Sequence, residues 1–148
     1  VNGRVQHTNA THFSISVDQS FGNCPQYIQS RSVKFNEKTQ VTKDPNNIQN
    51  FTKLNHEVSE LIRGADTFFV SSYVPAKDRP ELEGVDVSHR GGRPGFVKVA
   101  GNTLTIPDYS GNYHFNTLGN FLVNPKAGLV FIDFSTGNIV MLTGTVKL

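Results

Sequence analysis

A chain of 148 residues is the size of one domain and too short for two independent cores. Its 36% hydrophobic content, with 11 Phe and 4 Tyr, supplies material for a core and excludes a disordered or low-complexity chain. Fourteen Lys and Arg against 12 Asp and Glu leave a net charge of +2, too even a balance for a protein that tracks nucleic-acid phosphates.

The opening Val1-Asn2-Gly3-Arg4-Val5 reads like the middle of a strand or hairpin, with neither an initiator Met nor a signal segment, so a piece of a longer protein is expected. Phe13-Ser14-Ile15-Ser16-Val17 alternates apolar and polar residues, the pattern of a half-buried strand. Pro25 suits the first turn of a short helix. Residues 36–50 are polar, lack apolar periodicity and contain Asp44-Pro45-Asn46-Asn47, which makes them a surface connection. Arg31, Lys34, Lys38 and Lys43 lie among polar residues and read as a solvated face. Residues 51–63 form the clearest helix: Phe51, Leu54, Val58, Leu61 and Ile62 recur at three-and-four spacing, with Asn50 as N-cap and Gly64 as stop.

Strands are expected after it over 67–74, 84–88, 96–99, 103–106, 127–134 and 138–147. Ala100-Gly101-Asn102 and Ser135-Thr136-Gly137 close two hairpins, a short helix is expected over 112–121, and Phe68, Phe69, Phe131 and Phe134 read as core. Short antiparallel strands with little helix predict a mainly β fold closed into a barrel, because closure removes exposed edges. No apolar run approaches the roughly 20 residues of a membrane-spanning helix, so no membrane association is expected.

The densest polar cluster is Ser88-His89-Arg90-Gly91-Gly92-Arg93-Pro94-Gly95, read as a loop between strands. Its guanidiniums match phosphate oxygens and its glycines let backbone donors approach an anion, although a solvated hairpin loop has the same composition. A second cluster, Pro107-Asp108-Tyr109-Ser110-Gly111-Asn112 followed by Phe115-Asn116-Thr117-Leu118-Gly119-Asn120, offers partners for a polyol or a heterocycle edge, or ordinary turn residues. Cys24 is the single cysteine, which excludes an intrachain disulfide and any cysteine-only zinc site and fits a reducing, cytoplasmic compartment. It reads as a small buried hydrophobe more readily than as a reactive thiol. The five histidines show no metal-ligand spacing, and no nucleophile elbow is present.

Taken together, Phe68-Phe69-Val70, Val85 through Val97, Leu104 through Asn112, Asn116-Thr117-Leu118-Gly119-Asn120 and Asn124-Pro125-Lys126-Ala127-Gly128-Leu129 resemble the pyridoxamine 5'-phosphate oxidase-related, FMN-binding split-barrel proteins. The resemblance covers residues 51–148 as the FMN-binding domain, with 1–35 similar to the end of a preceding barrel unit and 36–50 connecting the two. It implies an antiparallel split β-barrel, an FMN cofactor, a homodimer and redox chemistry on a small-molecule substrate. By the same resemblance the phosphate lies near Ser88, His89, Arg90, Gly91 and Gly92. Asn112, Asn116, Leu118 and Asn120 lie near the ribityl chain or phosphate, and Phe96, Val97, Asp108 and Tyr109 line the ring. The further basic residues that bind a substrate phosphate in pyridoxamine phosphate oxidases have no counterpart placed here. A flavin-binding module without turnover is the alternative, separated by whether His89, Tyr109 or His114 offers a proton near the ring. A third reading, a small barrel for single-stranded nucleic acid, needs aromatics among cations on adjacent strands, and here the cations gather in one segment.

Overall fold

The computed structural model describes residues 1–22, 24–32, 48–75, 83–111 and 113–148. Among them, strands β1 (Asn2–Thr8) and β2 (Phe13–Gln19) form a hairpin, and helix α1 (His56–Gly64) leads into β3 (Thr67–Val74) and β4 (Gly84–Gly91). A small hairpin of β5 (Lys98–Ala100) and β6 (Thr103–Thr105) and helix α2 (Asn116–Val123) precede β7 (Lys126–Ile132) and β8 (Ile139–Thr145). The order β4-β3-β7-β8 makes one four-stranded sheet, and every pairing is antiparallel. The protein is therefore mainly β. Most of the expected connection 36–50 lies outside the described residues, as do Lys34, Lys38 and Lys43.

The described strands do not close into a barrel: β4 and β8 are the edges of the four-stranded sheet, and each hairpin is a sheet of its own. Strands β5 and β6 have three residues each, too short to bridge those edges. The β1–β2 hairpin meets β4 through side chains rather than a ladder, with Asn2 donating to the Val85 carbonyl and Gln19 to the Glu83 carbonyl.

Strand β3 is the spine of the core. Phe68 and Val70 face inward on it, and cross-strand register sets Leu129 of β7 opposite Val70. The Phe68 ring stacks on Phe131 at 4.9 Å and on Phe96 at 5.9 Å. Ile62 of α1, Val97 and Phe121 of α2 complete the buried cluster. Phe134, expected in the core, sits in the β7–β8 turn instead, 46% exposed, with the Arg31 guanidinium 4.8 Å above its ring. Arg31 also pairs with Asp66, so it is a cross-link rather than part of a solvated face.

Local chemistry sets the helix limits. α1 begins at His56 rather than at residue 51 because Asn55 is its N-cap: the Asn55 side chain accepts from the Val58 N–H at 2.8 Å. The residue before it is fixed as well, with the Leu54 N–H donating to Asn102 in the β5–β6 turn at 2.8 Å. Among the described residues 24–32 no helix forms at Pro25. Tyr27 has φ 64°, a left-handed backbone that no helical turn accepts. α2 starts at Asn116, later than expected, and Asn112 lies outside the described residues.

Truncating the stacked core is the direct test of this arrangement. Phe68→Ala and Phe131→Ala are each expected to cost about 3–5 kcal/mol in denaturant unfolding, the usual range for a buried Phe. The β7–β8 turn provides a second test. Asp133 accepts from the Ser135 hydroxyl at 2.6 Å and the Thr136 hydroxyl at 2.8 Å, and these bonds, with the backbone N–H groups of both residues, hold its carboxyl at about 2, below the ordinary 3.8. The folded value is depressed, so this contribution to stability is present above pH 3.8 and is lost as pH falls through about 2. An NMR titration of Asp133 should show that low value, and Ser135→Ala should raise it.

Candidate functional site

Side chains alternate between the two faces of a strand, and β4 uses that alternation inside out. Val85 and Val87 are 51% and 58% exposed, whereas Asp86 between them is 2% exposed. Register puts Asp86 opposite Ser72, Ser88 opposite Val70 and Arg90 opposite Phe68, all on the buried face of β3. Helix α2 packs on this face and brings Thr117, which is also buried. The Thr117 hydroxyl donates to Asp86 Oδ2 at 2.5 Å, and the Ser88 hydroxyl donates to the same oxygen at 2.9 Å.

A cleft of about 120 Å³ opens beside this group, between β4, the segment after β6 and the start of α2. Arg90 borders it and reaches Asp108 at 3.1 Å. Asn116, Thr117 and Leu118 border it from the first turn of α2, where Phe115 is the N-cap, no side chain caps the helix and no acidic residue follows. The amide groups of that turn have no intrahelical partners and carry the positive end of the helix dipole. Tyr27, Phe96, Tyr109, Tyr113 and Phe115 add aromatic walls. Tyr27 and Tyr113 are the non-glycine residues of positive φ among those described, at 64° and 60°, so the strained backbone gathers at this cleft. Tyr27 and Tyr109 stack at 5.2 Å, and the Tyr27 hydroxyl donates to the Ser110 carbonyl at 2.8 Å.

Of the residues expected at a site, Ser88, His89, Arg90, Gly91, Phe96, Asp108, Tyr109, Asn116 and Leu118 border this one cleft, although they come from separate segments. Gly92, Val97 and Asn120 do not. Val97 is in the core, and Asn120 donates to the Ser72 hydroxyl at 3.0 Å. The expected loop 88–95 is strand as far as Gly91, because β3 pairs along its whole length, ending at Thr67 opposite Gly91. The glycines make room for packing. A Cβ on Gly91 would lie 2.0 Å from the Tyr27 carbonyl oxygen, and one on Gly92 2.7 Å from the Phe96 ring. The Gly92 N–H is engaged by the Asp66 carbonyl at 2.9 Å and the Gly95 N–H by the Arg63 carbonyl at 2.8 Å, so neither is open to an anion.

His89 turns away from Ser88 and Arg90. Its ring lies with Thr67 and Phe69, 5.8 Å from the Phe69 ring, and its Nε2 meets the Thr67 hydroxyl. Nδ1 is buried without a hydrogen-bond partner. Asp86 and Thr117 were not singled out by sequence reasoning. The available signal was an acid between two valines in a predicted strand, where the alternation requires either the valines or the acid to face solvent.

No protein-family model matches the chain, and neither a curated protein nor a solved structure matches it significantly. Among the described residues no group of His, Cys, Asp and Glu is placed to hold a metal ion, and no helix is long and apolar enough to cross a membrane.

A flavin nucleotide, the group implied by the sequence resemblance, needs cations and N–H donors for its phosphate, partners for its polyol and an apolar wall for its ring. In kind the donor set fits: Arg90 and the first turn of α2 for the phosphate, hydroxyl and carboxylate oxygens for the polyol, aromatic rings for the flavin. In size the cleft covers only part of such a ligand, since cofactor pockets commonly measure about 300–1,000 Å³.

Burial lowers the His89 pKa below its ordinary 6.5, with the Asp66 charge opposing that shift and Arg90 assisting it. The folded value is depressed for a base, so folding stability should be unaffected well above pH 6.5 and decline as pH falls from 6.5 through the folded value. Denaturant unfolding across that range should show the decline, and a His89→Phe variant should lack it.

Proposed function

We propose that this chain is an FMN-binding domain of the split-barrel type, with the cofactor held in the β4–α2 cleft. The observation that carries the reading is convergence: Arg90, Asp108, Tyr109, Asn116 and Leu118, chosen from sequence motifs that resemble that family, border a single cleft. Arg90 and the uncapped start of α2 bind the phosphate, while Phe96 and the tyrosines lie against the ring. The β5–β6 hairpin beside the four-stranded sheet supplies a further part of a barrel that remains split, and the β1–β2 hairpin belongs to the end of a preceding barrel unit. A second copy of the chain covers the part of the ligand that one cleft leaves exposed, which makes the working unit a homodimer. When bound, FMN supplies two-electron redox chemistry. The chain's own residues hold the phosphate, orient the ring and exclude water, and a small substrate approaches across the exposed aromatic rim.

Binding without turnover is a second reading, and one observation favours it. His89, a candidate proton donor, borders the cleft, but its Nε2 meets the Thr67 hydroxyl and its Nδ1 is buried, so neither ring nitrogen is presented to a bound flavin. Tyr109 and His114 remain beside the cleft as candidates.

The test is a visible spectrum of the protein after FMN is added and free flavin is removed by gel filtration. Retained flavin with shifted bands is expected, and Arg90→Ala should weaken it by about tenfold or more, the loss of one charge-assisted contact. Wild-type protein that retains no flavin sinks the reading. Reduction of bound flavin by NADH or NADPH separates an oxidoreductase from a binding module.

A further inference from the structure

Asp86 has no part in the site as sequence reasoning drew it, yet it is the one acidic or basic side chain among the buried described residues. Ser88 and Thr117 both donate to its Oδ2, and Oδ1 takes part in neither bond. No described Lys, Arg or His lies within ion-pair distance of it. A buried carboxylate is costly unless partners surround it, and a carboxylate accepts about four hydrogen bonds.

Each hydroxyl has a single hydrogen. The Ser88 hydrogen goes to Asp86, and that of Thr117 goes to Asp86 or to the Ser88 oxygen 3.1 Å away, so both hydrogens stay within the trio and the three side chains offer lone pairs to the cleft they line. Such a group repels a phosphate and attracts hydrogen-bond donors. In this arrangement the Ser88 hydrogen is directed at Asp86 rather than at an anion beside Arg90. Same-face residues of a strand are about 6.6 Å apart, so Ser88 and Asp86 stand one and two such steps along β4 from Arg90.

We propose that Asp86, with Ser88 and Thr117 oriented around it, is an acceptor subsite for the hydroxyl groups of a phosphorylated polyol whose phosphate lies at Arg90. The ribityl phosphate of FMN is the member of that class on the reading above, and the inference rests on that reading for this identification. The division of labour is then sharp: Arg90 reads the phosphate, and Asp86 reads the chain that carries it.

The experiment titrates the full chain with FMN, riboflavin and lumiflavin, which lacks the polyol, by flavin fluorescence. Ribitol 5-phosphate is followed in parallel by amide NMR shifts. Asp86→Asn should weaken FMN and riboflavin by about tenfold each and leave lumiflavin within about twofold. Ser88→Ala should keep the FMN-to-riboflavin affinity ratio within about twofold of wild type, whereas Arg90→Ala should collapse that ratio towards one. Collapse of the ratio in Ser88→Ala overturns the proposal, as does an Asp86→Asn variant that binds all three flavins as wild type does or loses lumiflavin equally. If circular dichroism shows Asp86→Asn unfolded, the Ser88→Ala ratio decides. Wild-type binding of ribitol 5-phosphate with shifts in β4 and α2, but of no flavin, refutes the FMN reading and upholds the subsite. Binding of neither refutes both.

Discussion

The hydrogen bond from Thr117 to Asp86 fastens a helix to a sheet at a point where both partners are buried. Phe121 and Leu118 supply the apolar contact that brings α2 onto the sheet, but apolar packing alone is indifferent to small rotations of a short helix. A carboxylate that accepts from both Thr117 and Ser88 is not indifferent. Breaking either bond leaves a buried charge short of a partner, at a cost well above the net worth of an ordinary hydrogen bond. The angle at which α2 meets β4 is fixed by that penalty, and so is the mouth of the cleft.

The parts of the fold written in local pattern were legible in the sequence. Strand β3 runs over the residues that its aromatic and β-branched composition predicts, and the turns at Gly101 and Gly137 lie in the expected hairpins, both with positive φ. The start of α1 was misread because apolar spacing from Phe51 continued the helical pattern upstream, while the competing signal, a single Asn55 side chain, is a cap only if its neighbours let the chain turn there. Cys24-Pro25 was misread for a related reason. Pro25 permits a helix, but the crossing of this segment over the end of β4 requires Tyr27 to adopt a left-handed backbone.

The candidate site was legible as a set of segments and illegible as a geometry. Reading 88–95 as a loop made each of its polar groups available at once, whereas a strand divides them between two faces. That division removes His89 from Ser88 and Arg90 and adds Asp86 to them. Gly91 and Gly92 carried the composition of an anion-binding turn for another reason: a backbone carbonyl and an aromatic ring occupy the volumes where their side chains would begin. Nothing in one sequence distinguishes a glycine that cradles a ligand from one that admits a neighbouring chain.

The two helices end this chain's story in opposite ways. α1 has a side-chain cap, an acidic residue in its first turn and a basic one in its last. α2 has none of these, and Leu122 and Val123 face solvent at its far end. Helices of eight residues do not persist in water on their own, so α2 is ordered only as long as its contacts with the sheet hold. Local opening of α2 and loss of the cleft are consequently one event, and anything that occupies the cleft draws on the same equilibrium. Occupancy would register as slower amide exchange along the whole helix, including residues a ligand never touches.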